Sequence, residues 1–354
     1  MKYSLVQKIE IWLLGRLVNV LWIIDIATGY PLNQSVKFAA KPFVFVSLIL
    51  IGVLTYFIYV PFLSERFSVF NLSNNPKIAL NSTPAPEVLG AGVPLVTIPT
   101  KIPDAMPFPE VSAKSVIVAD VNSNTILHSI SPEKKLASAS TTKLMTALVS
   151  LNIYSLEDEL TMSKECSEVE STRADLPPGE KFTVNTLLNA MLVYSAGDAA
   201  CLLGTGKIDS NEFLYLMNEM AYDLKMENTF FTNTIGLDGL NGAQFSSAKD
   251  LYLLARATMA KPILKEIVAK PQVTVSSADG AFSTNLQNTN RLLAAIPNSV
   301  GIKTGTTQEA GEVLIYEYSK DTTDVMIIVM GSQDRFVDTT NILDWTLHSY
   351  TWVN

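Results

Sequence analysis

The sequence predicts an α/β domain with a mostly antiparallel sheet, carried behind an N-terminal transmembrane helix. Three observations lead there. Strand-like runs lie at 115–121 and 125–130 and again at 272–276, 301–303, 313–318 and 325–330. Helical periodicity fills 141–151, 185–203, 211–224 and 248–259, and a last helix is expected over 334–349. Strands at both ends with helices between them form a sheet from the first and last thirds of a domain, flanked by the helices. The third observation is an uncharged apolar stretch near the N-terminus.

In chain order, residues 1–42 read as a cytoplasmic segment. Within it, 9–27 is rich in Trp and Leu but broken by Glu10, Arg16, Asn19 and Asp25. That suits an amphipathic helix lying in the membrane interface; if it crossed instead, the topology would invert. Residues 43–63 are expected to contact lipid as the anchor, because 43–60 hold no charged side chain. At roughly 1.5 Å per residue, about 20 residues span the ~30 Å hydrocarbon core. Lys2, Lys8, Arg16, Lys37 and Lys41 precede the span against only Glu10 and Asp25. The positive-inside rule then keeps the N-terminus in the cytoplasm and puts the chain after Ser64 outside the cell membrane. The stretch starts too late and runs too long for a cleaved signal peptide. Nine of the seventeen prolines fall within 61–110, so 64–110 reads as a semi-rigid extracytoplasmic linker.

Residues 111–354 are left for the globular domain, enough for one large core. Asn122-Ser-Asn124 between the first two strand runs is a hairpin signal. Two histidines, His128 and His348, lack metal-ligand spacing, and no Gly-x-Ser-x-Gly elbow supports a Ser-His-Asp triad. Cys166 and Cys201 are too far apart for a Cys-x-x-Cys site; whether they pair outside the membrane is open at this level. Gly204-Thr-Gly-Lys207 fails as a phosphate loop, because Cys201 stands where the first Gly is needed. A net charge of −8 argues against nucleic acid as a partner. Any hydrolysis must then fall to Ser and Lys.

Ser-x-x-Lys occurs three times. Ser131-Pro-Glu-Lys134 reads as a turn or helix start, and Ser246-Ser-Ala-Lys249 overlaps a capping-box-like start at Ser247. Only Ser140-Thr-Thr-Lys143 runs into an apolar helical stretch. Residues three apart share a helix face, which sets the Lys143 amine beside the Ser140 hydroxyl. Burial among apolar neighbours lowers a lysine's proton affinity, and a neutral amine can activate a serine. Further on stand Ser195-Ala-Gly-Asp198 and Lys303-Thr-Gly305, the latter an ammonium and a hydroxyl on a strand edge suited to a carboxylate.

The ordered trio resembles that of penicillin-binding proteins and serine β-lactamases. The resemblance is closest to the D-alanyl-D-alanine carboxypeptidases, the low-molecular-mass penicillin-binding proteins. It extends through 137–148, Leu176-Pro-Pro-Gly-Glu180, 228–237, Asn288-Thr-Asn-Arg291 and Gly301-Ile-Lys-Thr-Gly305. It implies their fold, an antiparallel sheet flanked by helices plus an all-helical subdomain. It implies Ser140 as nucleophile, Lys143 as general base and Ser195 as proton relay. Lys303 and Thr304 would hold the substrate carboxylate, with Gly305 admitting its backbone, and the N–H groups of Ser140 and Thr306 would form the oxyanion hole. The substrate would be a peptidoglycan stem peptide ending in D-Ala-D-Ala, β-lactams would act as inhibitors, and no cofactor or metal is needed.

The second motif departs from the family, which has Asn where this chain has Gly197. That Asn would bond the catalytic Lys and the substrate amide. Its loss costs about 1–3 kcal/mol, or ten- to a hundredfold in rate, unless another group substitutes. Three alternatives stand beside a carboxypeptidase: a DD-endopeptidase on the same site, a β-lactamase, and a weakly active or non-catalytic penicillin-binding wall protein. The β-lactamase would need a deacylating Glu, and Glu212-Phe-Leu-Tyr-Leu216 lacks the expected Asn.

Overall fold

The computed structural model describes residues 97–239 and 243–352. The segment expected in the cytoplasm (1–42), the expected span (43–63) and most of the expected linker lie outside the described residues. Among the described residues, no helix is long and apolar enough to cross a membrane. All the architecture below belongs to the unit Leu89–Asn354.

The main sheet has five strands. These are β2 (Ser115–Asp120), β3 (Thr125–Ile130), β8 (Ser299–Thr307), β9 (Gly311–Lys320) and β10 (Thr323–Ser332), in the order β3-β2-β10-β9-β8. Every pairing is antiparallel, with Val118 opposite Ile327 and Ile328 opposite Ile315. As the sequence predicts, the strands come from the two ends of the domain. Asn122-Ser-Asn124 makes the β2–β3 turn, with Asn124 in the left-handed region at φ 57°.

Side-chain alternation splits the core in two. Ile117, Ala119, Val313, Ile315, Met326 and Ile328 face the large helical layer. Val116, Val118, Leu314, Tyr316, Ile327 and Val329 face the other way, where α9 (Arg335–Ser349) packs with Phe336, Ile342 and Leu343. The central helix is α1 (Lys143–Ile153), buried continuously from Lys143 to Ser150. A helix buried all round needs no amphipathic stripe. Around it lie α2 (Lys164–Ser167), α3 (Val184–Val193), α4 (Gly197–Thr205), α5 (Ser210–Asp223), α6 (Ala248–Met259) and α7 (Pro262–Val268). Ser247 caps α6 by accepting from the Asp250 N–H at 3.2 Å. Small elements complete the fold: β1 (Thr100–Lys101), β4 (Glu159–Thr161), β5 (Lys181–Thr183), β6 (Gln272–Ser276), β7 (Ser283–Gln287), α8 (Leu292–Ala295) and β11 (Tyr350–Thr351).

Three local differences from the sequence reading matter. The single helix expected over 185–203 is two helices, broken where Ser195 takes φ 67°. The strand run 272–276 pairs with β7 in a separate hairpin instead of joining the main sheet. The last stretch of the expected linker is part of the domain. β1 pairs with β11, Phe108 stacks on His128, and Trp345 donates to the Met106 carbonyl at 2.9 Å. Prolines flank these contacts without occupying the paired positions, so the Pro-rich composition conceals the packing.

Candidate active site

Ser140 lies in a single 3₁₀ turn, Ala139–Thr142, that leads into α1. Ala139 holds φ 47°, a left-handed conformation that costs a residue with a Cβ energy and needs support from its surroundings. The support comes from two sides. A Cβ placed on Gly236 would lie 2.0 Å from the Ala139 carbonyl oxygen. A Cβ on Gly305 would lie 2.9 Å from the Ala139 Cβ and 3.0 Å from the Ser140 nitrogen. The turn is thus pressed between the loop 233–237 and β8, and both approaches require glycine. Gln244 pins it further, donating to Thr142 Oγ1 at 2.8 Å.

Lys143, fully buried, places Nζ 2.9 Å from Ser140 Oγ and 2.7 Å from the Ile235 carbonyl. Desolvation lowers its pKa to about 7, partly opposed by the Asp198 carboxylate. In the neutral amine one N–H serves the Ile235 carbonyl, leaving the lone pair free to accept the Ser140 proton. Asn233 shapes the loop that presents this carbonyl: its Oδ1 accepts from the N–H groups of Ile235, Gly236 and Leu237 at 3.1, 2.6 and 3.1 Å.

The break between α3 and α4 puts Ser195 at a corner, where Lys303 Nζ donates to its hydroxyl at 2.9 Å. Lys303 is buried on edge strand β8, and its pKa falls well below the usual lysine value. Desolvation is the main cause, with Lys143 and Arg335 adding repulsion. An anionic ligand entering beside these basic groups would offset that repulsion and favour their charged forms. The structure thus brings together Ser140, Lys143, Ser195, Lys303 and Gly305. Gly197, at the start of α4, donates its N–H to the Thr172 carbonyl at 2.6 Å. The two threonines of β8 differ: Thr304 is buried with its hydroxyl 2.6 Å from that of Thr289, whereas Thr306 is exposed.

Four further residues complete the site, and the motifs did not point to them. Arg335 donates through Nη1 to the Gly305 carbonyl at 2.7 Å and also to Thr306 Oγ1. Thr289 steadies Thr304, and its N–H donates to the Val193 carbonyl at 3.1 Å, tying the segment before β8 to α3. Asp198 is buried and accepts from the N–H groups of Ala174, Leu176 and Ala199. Asn233 acts through the Ile235 carbonyl. Asn233 and the 288–291 run lie within stretches that carry the family resemblance, and Asp198 ends the Ser195 stretch; Arg335 had no signal. The two cysteines are joined as Cys166–Cys201, with Cα atoms 5.3 Å apart. A cleft of about 730 Å³ is lined by Val169 and Glu170, by Leu237, Asp238 and Gly239, and by Thr306 and Thr307; Ser140, Lys143, Ser195 and Lys303 are not in its lining. A buried Ser140–Lys143 pair, a second Ser–Lys pair at Ser195 and Lys303, and the Arg335 guanidinium at the strand edge form an arrangement suited to acyl transfer on a substrate with a terminal carboxylate.

Comparison with known proteins bears on the same residues. The sequence pattern of the D-alanyl-D-alanine carboxypeptidase family matches residues 102–334. The chain is 28% identical over 247 residues to D-alanyl-D-alanine carboxypeptidase DacB2 of Mycobacterium tuberculosis, covering 68% of this chain and 84% of that one. It is 29% identical over 284 residues to a D-alanyl-D-alanine endopeptidase of Pseudomonas aeruginosa, covering 77% and 85%. Its fold is similar to that of penicillin-binding protein D2 from Listeria monocytogenes in the ampicillin-bound form. The TM-score is 0.61 at 30% identity, over 68% of this chain and all of that one (100%). With the pattern spanning well over half its length, this chain belongs to the D-alanyl-D-alanine carboxypeptidase family of serine hydrolases, the low-molecular-mass penicillin-binding proteins.

Proposed function

We propose that the chain is a D-Ala-D-Ala carboxypeptidase that removes the terminal D-alanine from peptidoglycan stem peptides through an acyl-enzyme on Ser140. The observation that carries this reading is the 2.9 Å contact between the buried Lys143 amine and the Ser140 hydroxyl. Lys143 takes the hydroxyl proton as Ser140 Oγ attacks the carbonyl between the two alanines. The N–H groups of Ser140 and Thr306 receive the oxyanion, a contribution of about 3–4 kcal/mol per donor. Collapse of the tetrahedral intermediate breaks the C–N bond, and the proton taken by Lys143 passes through Ser195, hydrogen-bonded to Lys303, to the departing amine, leaving Lys143 neutral. Water, deprotonated by Lys143, then releases the acyl group.

Lys303, Thr304, Thr306 and Arg335 form the carboxylate cradle. With Thr289 as donor to Thr304, Thr304 keeps its own proton for a carboxylate oxygen. Gly305 lets the substrate backbone approach β8. β-Lactams, which carry a carboxylate beside a strained amide, would acylate Ser140 and stay.

A second reading, cleavage of peptide cross-links, is favoured by the endopeptidase names among relatives of comparable identity. An extracytoplasmic location suits the family's substrate, and the disulfide is consistent with an oxidising compartment. The anchor at 43–63 would tether the domain to the bacterial cell membrane.

The test is to give the full chain a stem pentapeptide and a cross-linked dimer separately, and to measure D-alanine release and dimer cleavage. The expected result is D-alanine release from the pentapeptide, abolished in Ser140→Ala. Release that persists in that variant sinks the nucleophile assignment, and preferential dimer cleavage favours the endopeptidase.

A further inference from the structure

Gly197 stands where the family's second motif carries an Asn, and the space its side chain would enter is already taken. A Cβ built at 197 lies 2.6 Å from both the Cβ and the Oγ of Ser171, and 3.2 Å from the Thr172 carbonyl oxygen. By ordinary bond geometry, the head atoms of an Asn carboxamide lie about 2.4 Å from their own Cβ. The Ser171 hydroxyl therefore sits at nearly the radius where a carboxamide oxygen or nitrogen would. Ser171 is half-buried, and its hydroxyl makes no hydrogen bond to any described residue.

Three ties hold Ser171 in this place. The Gly197 N–H donates to the Thr172 carbonyl at 2.6 Å. The buried Asp198 carboxylate accepts from the N–H groups of Ala174 and Leu176, both at 3.2 Å. The Cys166–Cys201 bond fastens α2, immediately upstream of this loop, to α4. Val169 and Glu170, next to Ser171, already form a wall of the cleft. A hydroxyl with no partner among the described residues thus stands between the cleft lining and the second motif.

In the family the missing Asn has two contacts, the catalytic Lys and the substrate amide. Lys143 here is held by the Ile235 carbonyl at 2.7 Å, which leaves the substrate contact unassigned. We propose that the Ser171 hydroxyl makes it, hydrogen-bonding the substrate amide on the acyl side of the scissile bond. The equivalent group in a penicillin is the side-chain amide. Gly197 and Ser171 are an exchanged pair: the polar group absent from the motif is supplied by the loop that fills its place. A hydroxyl can donate to the amide carbonyl or accept from its N–H. The assignment rests on the acyl-enzyme reading above, and it makes Asn at 197 unwelcome by itself, because that side chain would collide with Ser171.

The experiment measures acylation of the full chain by mass spectrometry, using benzylpenicillin and 6-aminopenicillanic acid, which lacks the side-chain amide. Ser171→Ala should slow benzylpenicillin about tenfold and leave 6-aminopenicillanic acid within about twofold of wild type. Gly197→Asn alone should lose the preference for benzylpenicillin, and Ser171→Gly combined with Gly197→Asn should recover it. Equal slowing with both compounds, no slowing with either, or a folded double variant without the preference overturns the proposal. Failure of the wild-type chain to be labelled on Ser140 would instead overturn the acyl-enzyme reading.

Discussion

Lys143 can act as a base only while neutral, so the rate of acylation should follow its titration. Burial lowers its pKa from 10.5 to about 7. At 1.36 kcal/mol per unit, that is about 5 kcal/mol against the charged form. With a pKa near 7, roughly three-quarters of the molecules hold a neutral Lys143 at pH 7.5, and about 3% do at pH 5.5. Acylation should therefore fall about 25-fold between those values and gain little between pH 7.5 and 8.5. Stopped-flow measurement with a fluorescent penicillin at constant ionic strength reads this directly, and a penicillin's carboxylate stays ionised throughout. Lys143→Arg preserves the cation, cannot release its proton, and should lose labelling altogether. A rate independent of pH, or a midpoint above pH 9, would refute the reasoning, because Lys143 would then be no neutral base in the resting site.

Arg335→Gln removes the guanidinium that donates to Gly305 and Thr306. The catalytic efficiency on a D-Ala-D-Ala peptide should fall about 10- to 100-fold, chiefly through KM; an unchanged KM would exclude it from the carboxylate cradle. Gly236→Ala would push a methyl to 2.0 Å from the Ala139 carbonyl at φ +90°, at a cost of about 3 kcal/mol or more. Penicillin labelling should drop together with the thermal midpoint. Glu317, buried on β9, has its pKa raised to about 7 by desolvation, with Asp324 adding to the shift. The native state keeps this proton up to about pH 7, whereas the unfolded chain releases it near 4.5. Its contribution to stability is full below pH 4.5 and is lost as pH rises to 7. Glu317→Gln should consequently be about 3 kcal/mol more stable than wild type at pH 8 and nearly equal at pH 4. A gap in urea midpoints that does not change with pH would contradict this.

The sheet and the nucleophile helix were legible because their signals are local. The period-2 runs mark β2, β3, β9 and β10, and the apolar stretch after Lys143 marks α1. What escaped depends on contacts between distant segments. Arg335, at the start of α9 just after β10, reaches Gly305 on β8, with β9 between those two strands, and no spacing in the sequence encodes that meeting. The corner at Ser195 was hidden by apolar residues on both sides, since a hydrophobic run reads the same whether one helix or two pass through it. β7 alternates polar side chains at an exposed hairpin, which leaves little hydrophobic pattern to detect. The departure at Gly197 was visible, but the side chain that fills its space comes from 26 residues upstream (197 − 171).

The Cys166–Cys201 bond links the loop bearing Ser171 to the helix that begins at Gly197. Ser171 fills the space beside Gly197, so the covalent tie and the proposed substrate contact share one strut. Maturation of the enzyme is accordingly a matter of address as well as of folding. A chain retained among cytosolic reductants would have Ser140, Lys143 and the sheet, but would lack this fastening beside the cleft. Oxidation outside the membrane would add a covalent tie to the hydrogen bonds from Gly197 and to Asp198 that already hold this loop.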